Sequence, residues 1–285
     1  MPSLLDRTFR RVAALRPSLD RAERHSLAEK FLSIDNVPIV SPPNGRYWFQ
    51  TMPLRDGTRI RGASGDPNRE QRLWASCFGA DRDCLAGKRV LDVGANDGFF
   101  SIAAALCGAD EVHAVNPATL AHGTFPANLR FADDEWDANI RVTVDEFQNL
   151  PGRAEYDVIL LYGVLNHLEN PVAGMRAVER LLAPGGRVYL ETQVSPHGGS
   201  QPLFELASDV YATTVPQHRG MIDNPGNSTI FVPNDLGVRA LGVTFGLTVD
   251  GLTGGNAYEA AFGGPARRRV FVLSRAADRP LSPKG

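Results

Sequence analysis

The sequence is poor in the features that mark several classes of protein. Its 285 residues include only three cysteines, Cys77, Cys84 and Cys107, and no two of them have CxxC spacing. So few cysteines argue against a disulfide framework or a structural zinc site, and they fit a reducing, cytoplasmic compartment. No apolar run approaches the roughly 20 residues that a membrane-spanning helix needs. No uninterrupted apolar core follows Met1, so we expect no secretory signal, a cytoplasmic location and no membrane partner.

An excess of charge of one sign is also missing. The chain has 30 Lys and Arg against 32 Asp and Glu, which gives a formal net charge of −2 at pH 7. Basic residues cluster between Arg7 and Arg24, but acidic residues are interleaved with them. Because proteins that bind nucleic acid usually carry a broader positive excess, we expect a small-molecule partner rather than DNA or RNA.

The first part of the chain, residues 1–68, is predicted to form an N-terminal annex of helices and a hairpin. Apolar residues at helical spacing within residues 3–33, interrupted at Pro17, predict two helices. Further on, RYWFQTMPLRDGTRIRG predicts a β-hairpin around its DG turn. The helices either pack on the main domain, join two subunits as a homodimer or cover the site as a lid, and the pattern does not choose among these roles.

The rest of the chain has the alternation of an α/β protein. From about residue 86, short apolar strands alternate with helical stretches such as FFSIAAALC and PVAGMRAVERLL. This pattern predicts a Rossmann-like, seven-stranded, mostly parallel sheet with helices on both faces. We expect residues 69–275 to form this domain and residues 276–285 to form a flexible tail. The seven predicted strands are VLDV, EVHAV, IRVTV, YDVILLYG, RVYLET, GLTVDGL and RRRVFVLSR.

The loop after the first of these strands, in VLDVGANDG, indicates a ligand site. Gly94 and Gly98 bracket a tight turn at the carboxyl end of the strand, where doubly wound sheets bind ligands, and the next helix is expected to offer free N–H groups. The spacing is not GxGxxG, and Asp92 and Asp97 would repel a pyrophosphate and attract a cation. S-adenosylmethionine carries a sulfonium and an ammonium group and no phosphate, so the charges favour it over NAD or ATP.

A family resemblance rests on several segments. VLDVGANDGFFSIAAA resembles motif I of the class I SAM-dependent methyltransferases, and YDVILLYGVLNHL and LLAPGGRVYLET follow it within roughly residues 70–195. WFQTMPLRDGTRIRG, GVLNHLENP and LET are similar to the branch that includes the tRNA uridine carboxymethyltransferase. That branch often has Tyr at the position of Asn166 and His at that of Gln50. In the tRNA enzyme this Tyr helps to hold the carboxylate of carboxy-SAM. Because this chain has Asn166 instead, the resemblance implies ordinary SAM as cofactor, with S-adenosylhomocysteine as product.

The resemblance also implies a set of donor contacts. The acid that usually ends the second strand and grips a ribose is replaced by Asn116, which can accept from one hydroxyl and donate to the other. The change would cost about tenfold in affinity rather than abolish binding. Asn116 could instead open the turn before Pro117, and Asp145 could meet the adenine or cap the next segment. The predicted donor contacts are Asp92, Gly94, Ala95, Asn96, Gly98, Asn116, Pro117, Asp145, Glu146, Phe147, Tyr162 and Gly163.

Four residues are candidates for the chemistry. His167 follows the fourth strand and either acts as a general base or lines the donor pocket, and Glu191 ends the fifth strand and either orients the acceptor or bonds to a loop. His197 and His218 lie in an insertion at about residues 195–232, which is too long for a simple connection and is the predicted acceptor-binding region. The acidic run ADDEWD is typical of a solvated face or a helix N-terminus, so we predict no metal site.

The pattern therefore predicts a SAM-dependent methyltransferase that acts on a polar small molecule, such as a sugar or another natural product. O-methylation is favoured over N-methylation because the predicted acceptor region is rich in His and Asn. A tRNA wobble-uridine modifying enzyme is a second hypothesis. A catalytically inactive methyltransferase fold that binds a partner is the third, and Asn116 is its best support.

Overall fold

The computed structural model describes residues 20–34, 37–63, 66–117, 124–195, 199–206, 231–253 and 267–277. The helices in these ranges are α1 (Arg21–Leu32), α2 (Arg69–Phe78), α3 (Phe99–Leu106), α4 (Ala127–Trp136), α5 (Pro171–Leu181) and α6 (Asp235–Thr244). The strands are β1 (Ile39–Val40), β2 (Met52–Pro53), β3 (Arg59–Ile60), β4 (Arg89–Val93), β5 (Glu111–Asn116), β6 (Arg141–Val144), β7 (Tyr156–Tyr162), β8 (Leu182–Val194), β9 (Phe204–Leu206), β10 (Phe231–Pro233), β11 (Thr248–Thr253) and β12 (Arg267–Ser274).

The main sheet contains all seven strands that the sequence predicts. Their order is β6–β5–β4–β7–β8–β12–β11. Strand β5 pairs in parallel with β4 and β6, and β7 pairs in parallel with β8. Strand β12 runs antiparallel to both β8 and β11. The prediction of a Rossmann-like, seven-stranded, mostly parallel sheet is therefore confirmed.

The described residues up to Glu146 form one compact unit. Its core includes an aromatic cluster in which the ring centroid of Phe31 lies 4.8 Å from that of Phe99 and 5.0 Å from that of Trp136. All three side chains are buried. Phe31 comes from α1, so the second of the two predicted N-terminal helices exists and contributes to the core of this unit. The first predicted helix lies outside the described residues.

The predicted hairpin of the annex is also present. Met52 pairs with Ile60 and Pro53 with Arg59 in antiparallel register, and the turn between them contains Gly57 at φ 90°. Strand β1 adds to this hairpin by pairing in parallel with β3, which the sequence pattern did not indicate. The buried guanidinium of Arg59 donates hydrogen bonds to the carbonyl of Ser33 and the side chain of Asn68, so it joins three segments of the annex.

The acidic run ADDEWD lies at the C-terminal end of helix α4, so of the two predicted alternatives, a solvated face and a helix N-terminus, the second is wrong. The physical reason is that Leu129 and Trp136 bury on one face of the helix and extend it through the acidic residues. Asp133 accepts a hydrogen bond from the N–H of Ile140 at 3.1 Å, and Glu135 accepts one from the N–H of Arg55 at 2.7 Å. Among the described residues, no group of three or more His, Cys, Asp or Glu side chains is placed to hold a metal ion.

The described residues from Phe147 onward form the second compact unit. Arg275 follows β12 with its side chain buried, and its Nη1 donates to the carbonyls of Glu179 and Leu182, each at 3.0 Å. These carbonyls lie at the C-terminal end of α5, where the last carbonyl groups of a helix receive no N–H from the helix itself. A charged donor at a helix C-terminus is favourable, so Arg275 fixes α5 to the end of the sheet. None of the described helices is long and apolar enough to cross a membrane.

The contacts of Arg275 generate a test of the fold. We expect Arg275→Met to lower the free energy of unfolding by about 2 kcal/mol, because two buried carbonyls lose a charged donor. Urea unfolding measures the change, and Arg187→Met on the exposed face of β8 is the matched control, with an expected change of less than about 0.5 kcal/mol. Equal effects of the two substitutions would contradict this role of Arg275.

Candidate active site at the turn after strand β4

The turn between β4 and α3 adopts a conformation that depends on its glycines. Gly94, Asn96 and Gly98 have φ values of 71°, 49° and 92°, which lie in the left-handed region. A Cβ atom on Gly98 would also lie only 2.8 Å from Cγ of Leu129 in α4. Gly94 donates its N–H to the carbonyl of Val115 at 2.8 Å, which ties the turn to the end of β5. The backbone conformation of the turn therefore requires glycine at these two positions.

Asp92, the predicted acid of the turn, is buried inside the unit with 2% of its surface exposed. Its Oδ2 accepts a hydrogen bond from the hydroxyl of Ser101 at 2.6 Å. Burial raises the pKa of Asp92 to about 7, although hydrogen bonds from the side chain and backbone of Ser101 oppose the increase. A cation beside Asp92 would favour its charged form, whereas a phosphate would disfavour it.

Asp97, the second predicted acid, binds the annex to the turn. Its Oδ2 accepts the backbone N–H groups of Phe49 at 2.7 Å and Gln50 at 2.8 Å, and its Oδ1 accepts Nδ2 of Asn128 at 2.8 Å. Asn128 also donates to the carbonyl of Tyr47 at 2.8 Å. The carboxylate is buried and its three donors belong to the protein, so its main role is to hold residues 47–50 against the turn.

The N-terminus of α3 is not as free as the sequence predicts. The backbone N–H of Phe99 donates to Oε1 of Gln50 at 3.0 Å. The backbone N–H of Ser101 donates to Asp92. Two of the first N–H groups of the helix are thus taken by side chains, one of them from the annex, which local sequence could not show.

Asn116 ends β5 beside the same turn and has 1% of its surface exposed. Its Oδ1 accepts the backbone N–H of Asn96 at 3.4 Å. Among the residues that the structure describes, its Nδ2 has no hydrogen-bond partner. Because a buried amide donor without a partner costs about 1–3 kcal/mol, a polar ligand group that completes it fits this position. The structure thus brings together Asp92, Gly94, Ala95, Asn96, Gly98, Asn116 and Pro117.

The predicted adenine contacts lie after β6. Asp145 and Glu146 are exposed, and Asp145 accepts the N–H of Glu146 at 2.7 Å. Phe147 is buried and begins a short 3₁₀ helix, Phe147–Asn149. Asp145 thus makes a local bond of the kind that the capping alternative describes.

In the second unit, Glu191 is fully buried and forms an ion pair with Arg268 of β12. Nε of Arg268 donates to Oε1 of Glu191, and Nη2 donates to Oε2 at 2.8 Å. Gly163 follows Tyr162 at the end of β7, donates its N–H to the carbonyl of Glu191 at 2.8 Å and would bring a Cβ to 3.1 Å from Arg268. Sequence reasoning missed Arg268, because RRRVFVLSR indicates only a strand, and a pairing across β8 and β12 leaves no local pattern.

Of the three histidines predicted to take part in the chemistry, one lies in the described part of the chain. His167 is half-buried at the end of the 3₁₀ helix Leu165–His167, directly after β7. Its neighbour Asn166 is buried and accepts a hydrogen bond from the hydroxyl of Thr192 at 3.4 Å. His197 and His218, which were predicted to serve the acceptor, lie outside the described residues.

Comparison with known proteins decides the family. A family model described as a methyltransferase domain matches residues 69–224, which is more than half of the chain. The chain belongs to this methyltransferase domain family. The resemblance of its motifs to class I SAM-dependent methyltransferases is therefore confirmed, and S-adenosyl-L-methionine is the cofactor of that family.

Curated relatives of this chain include tRNA U34 carboxymethyltransferases. The protein of Pseudomonas savastanoi pv. phaseolicola is 32% identical over 138 residues, which are 47% of this chain and 38% of the relative. That of Idiomarina loihiensis is 30% identical over 130 residues, which are 46% of this chain and 40% of the relative. The match thus spans less than half the length of these relatives.

Solved structures share the fold of this chain at low sequence identity. The 1,6-didemethyltoxoflavin-N1-methyltransferase of Burkholderia thailandensis, solved with S-adenosylhomocysteine, has a TM-score of 0.51 at 16% identity and covers 73% of this chain and 79% of its own. The YcgJ protein of Bacillus subtilis has a TM-score of 0.53 at 15% identity, with 72% and 98% covered. Mitomycin 7-O-methyltransferase has a TM-score of 0.50 at 15% identity, with 75% and 56% covered.

The raised pKa of Asp92 predicts how stability changes with pH. The pKa of an Asp in an unfolded chain is about 3.9, whereas in the folded protein burial raises it to about 7. The folded state therefore binds more protons between about pH 4 and 7, so the stability that Asp92 contributes is present below this interval and is lost as pH rises through it. We expect the unfolding free energy of Asp92→Asn minus that of the wild-type protein to increase with pH across the interval and to stay constant above it.

Urea unfolding at a series of pH values from 4 to 8 measures this difference. Ser101→Ala is the companion variant, because it removes a hydrogen bond that lowers the pKa of Asp92. We expect it to move the upper end of the interval to higher pH. A difference between Asp92→Asn and wild type that stays constant with pH would contradict the titration of Asp92.

Proposed function

We propose that this chain transfers a methyl group from S-adenosyl-L-methionine to a polar small molecule, with S-adenosylhomocysteine as the product. The observation that carries the proposal is the buried Nδ2 of Asn116, which has no hydrogen-bond partner among the described residues and lies at the strand end where the resemblance places the ribose. The glycine turn and the family membership support it. The three free cysteines support a cytoplasmic location.

The residues around the turn fit the nucleoside and sulfonium parts of this donor. Asn116 would donate to one ribose hydroxyl through Nδ2, and its Oδ1 would accept from the other. Gly94 and Gly98 present bare backbone, and Asp92 favours a cation over a phosphate. When bound, S-adenosyl-L-methionine supplies an electrophilic methyl carbon for an in-line displacement. We assign the further donor contacts to Ala95, Asn96, Pro117, Asp145, Glu146, Phe147, Tyr162 and Gly163.

We propose a hydroxyl as the acceptor, on a sugar or another polar natural product. The support is His167, a half-buried imidazole just beyond the end of β7, which would accept the proton of the acceptor hydroxyl. Glu191 is held by Arg268, so we assign it a positioning role instead. The fold itself accommodates either acceptor atom, since both an N1- and a 7-O-methyltransferase have it.

A tRNA acceptor is a second candidate function, and the 32% identity to tRNA U34 carboxymethyltransferases favours it. The net charge of −2 and the presence of Asn166, where that branch often has Tyr, count against it. Incubating the protein with donor and unmodified tRNA, followed by mass spectrometry of the wobble uridine, distinguishes the two. A modified uridine would replace the small-molecule proposal.

The donor site is tested by calorimetric titration with SAM and S-adenosylhomocysteine. We expect micromolar affinity for the wild-type protein and an affinity about tenfold lower for Asn116→Ala, because one or two ribose hydrogen bonds are lost. Asn116→Asp restores a charged acceptor and should bind at least as tightly as wild type. Thermal unfolding without ligand shows whether each variant is folded. A folded wild-type protein that binds neither ligand would favour the third hypothesis, an inactive fold that binds a partner.

The role of His167 is tested by separating turnover from donor binding. If it is the base, His167→Ala should lower kcat by at least about a hundredfold and leave the affinity for S-adenosylhomocysteine unchanged. The measurement requires an acceptor, found by screening hydroxyl compounds with labelled donor. A loss of donor affinity with kcat retained would show instead that His167 lines the donor pocket.

A further inference from the structure

We infer that Gln50 is a specificity-determining residue, which occupies the N-terminus of α3 and so excludes phosphate-bearing nucleotides from the donor site. This inference rests on the proposed function, because it concerns how that site selects its donor. Gln50 lies in the annex, 3% exposed, and outside the segment that carries the motif I resemblance.

The first step is the geometry of the helix N-terminus. Phe99 is the first residue of α3, and its N–H is one of the donors that lack a partner within a helix. In glycine-turn folds that bind a pyrophosphate, such donors and the helix dipole face the phosphate. Here Oε1 of Gln50 takes the N–H of Phe99 at 3.0 Å, and Asp92 takes the N–H of Ser101. A phosphate would have to displace a side chain of the protein.

The second step is the rigidity of the segment that carries Gln50. The backbone N–H groups of Phe49 and Gln50 both donate to Asp97. On the other side, a Cβ on Gly62 would lie 2.4 Å from the carbonyl carbon of Gln50. The chain just after β3 therefore packs directly against the backbone of Gln50. The backbone of Gln50 is therefore fixed beside the helix N-terminus, so a ligand could reach the N–H of Phe99 only by rotating the Gln50 side chain away.

The third step is charge. The amide of Gln50 is neutral, so it satisfies the N–H of Phe99 without placing an anion there. The carboxylate of Asp97, one residue before Gly98, would repel a phosphate that approached the same N-terminus. A donor with a sulfonium and no phosphate meets neither obstacle. The same bond positions the start of α3, and with it the turn.

The test compares two ligands on the same variants. Titrations with S-adenosylhomocysteine and with ADP, by calorimetry and by competition, give the ratio of their dissociation constants. For Gln50→Ala we expect the affinity for S-adenosylhomocysteine to fall about fivefold, because the turn loses a hydrogen bond. We expect the affinity for ADP to rise relative to the affinity for S-adenosylhomocysteine, so that the ratio of the two dissociation constants changes by at least about tenfold in favour of ADP. Structural damage alone would weaken both ligands in parallel, and that result would overturn the inference.

Two further variants keep the test decisive. Gln50→Glu retains an oxygen acceptor for Phe99, so the affinity for S-adenosylhomocysteine should stay within about twofold of wild type. A loss as large as that of Gln50→Ala would contradict the acceptor role, even if Gln50→Ala itself does not fold. The matched control is Gln71→Leu, since Gln71 is equally buried in the same unit and has no hydrogen-bond partner among the described residues. Both affinities should be unchanged there.

The proposed function and this inference fail in different ways. A folded wild-type protein that does not bind S-adenosylhomocysteine overturns the proposed function, and the inference with it. Wild-type binding of S-adenosylhomocysteine together with an unchanged ligand ratio in Gln50→Ala overturns the inference alone. Wild-type binding with a ratio shifted toward ADP supports both.

Discussion

The buried carboxylate of Asp97 is the constraint on which the rest of the first unit depends. It accepts hydrogen bonds from the backbone of residues 49 and 50 and from Asn128 of α4, so one side chain joins the annex, the turn after β4 and a helix that follows β5. Three donors offset the cost of removing the charge from water. The position of Gln50, and through it the start of α3, follows from this arrangement.

Three buried carboxylates illustrate how the surroundings decide what an acidic side chain does. Asp97 is held by N–H donors and serves the structure, and Glu191 is neutralised by Arg268. Asp92 accepts a hydrogen bond from the hydroxyl of Ser101, and burial raises its pKa to about 7. The charge of Asp92 therefore changes near neutral pH, and a nearby cation would favour its charged form.

Asn116 stands where the resemblance places an acid, so in the proposed donor site an amide would contact the ribose in place of a carboxylate. An amide offers one acceptor and two hydrogens, and the buried nitrogen still lacks a partner among the described residues. The curated relatives that share motifs with this chain align over less than half of their length. This chain departs from that branch at Asn166 and Gln50, and at Asn116 it departs from the acid that is usual in the wider family.

The sequence by itself determined the alternation of strands and helices, the seven strands of the sheet, the hairpin of the annex and the turn bracketed by Gly94 and Gly98, because periodicity, glycine and turn residues act over a few positions. It left open whether the acidic run is a solvated face or a helix N-terminus, and the burial of Trp136 placed the run at the end of α4 instead of at a start. Only the tertiary structure decided that Gln50 caps α3, that Asp97 binds the annex and that Arg268 neutralises Glu191. These pairs join residues from 47 to 77 positions apart, as in Asp97 with Gln50 and Glu191 with Arg268. Burial makes each pairing obligatory, but nothing local in the chain specifies the partner.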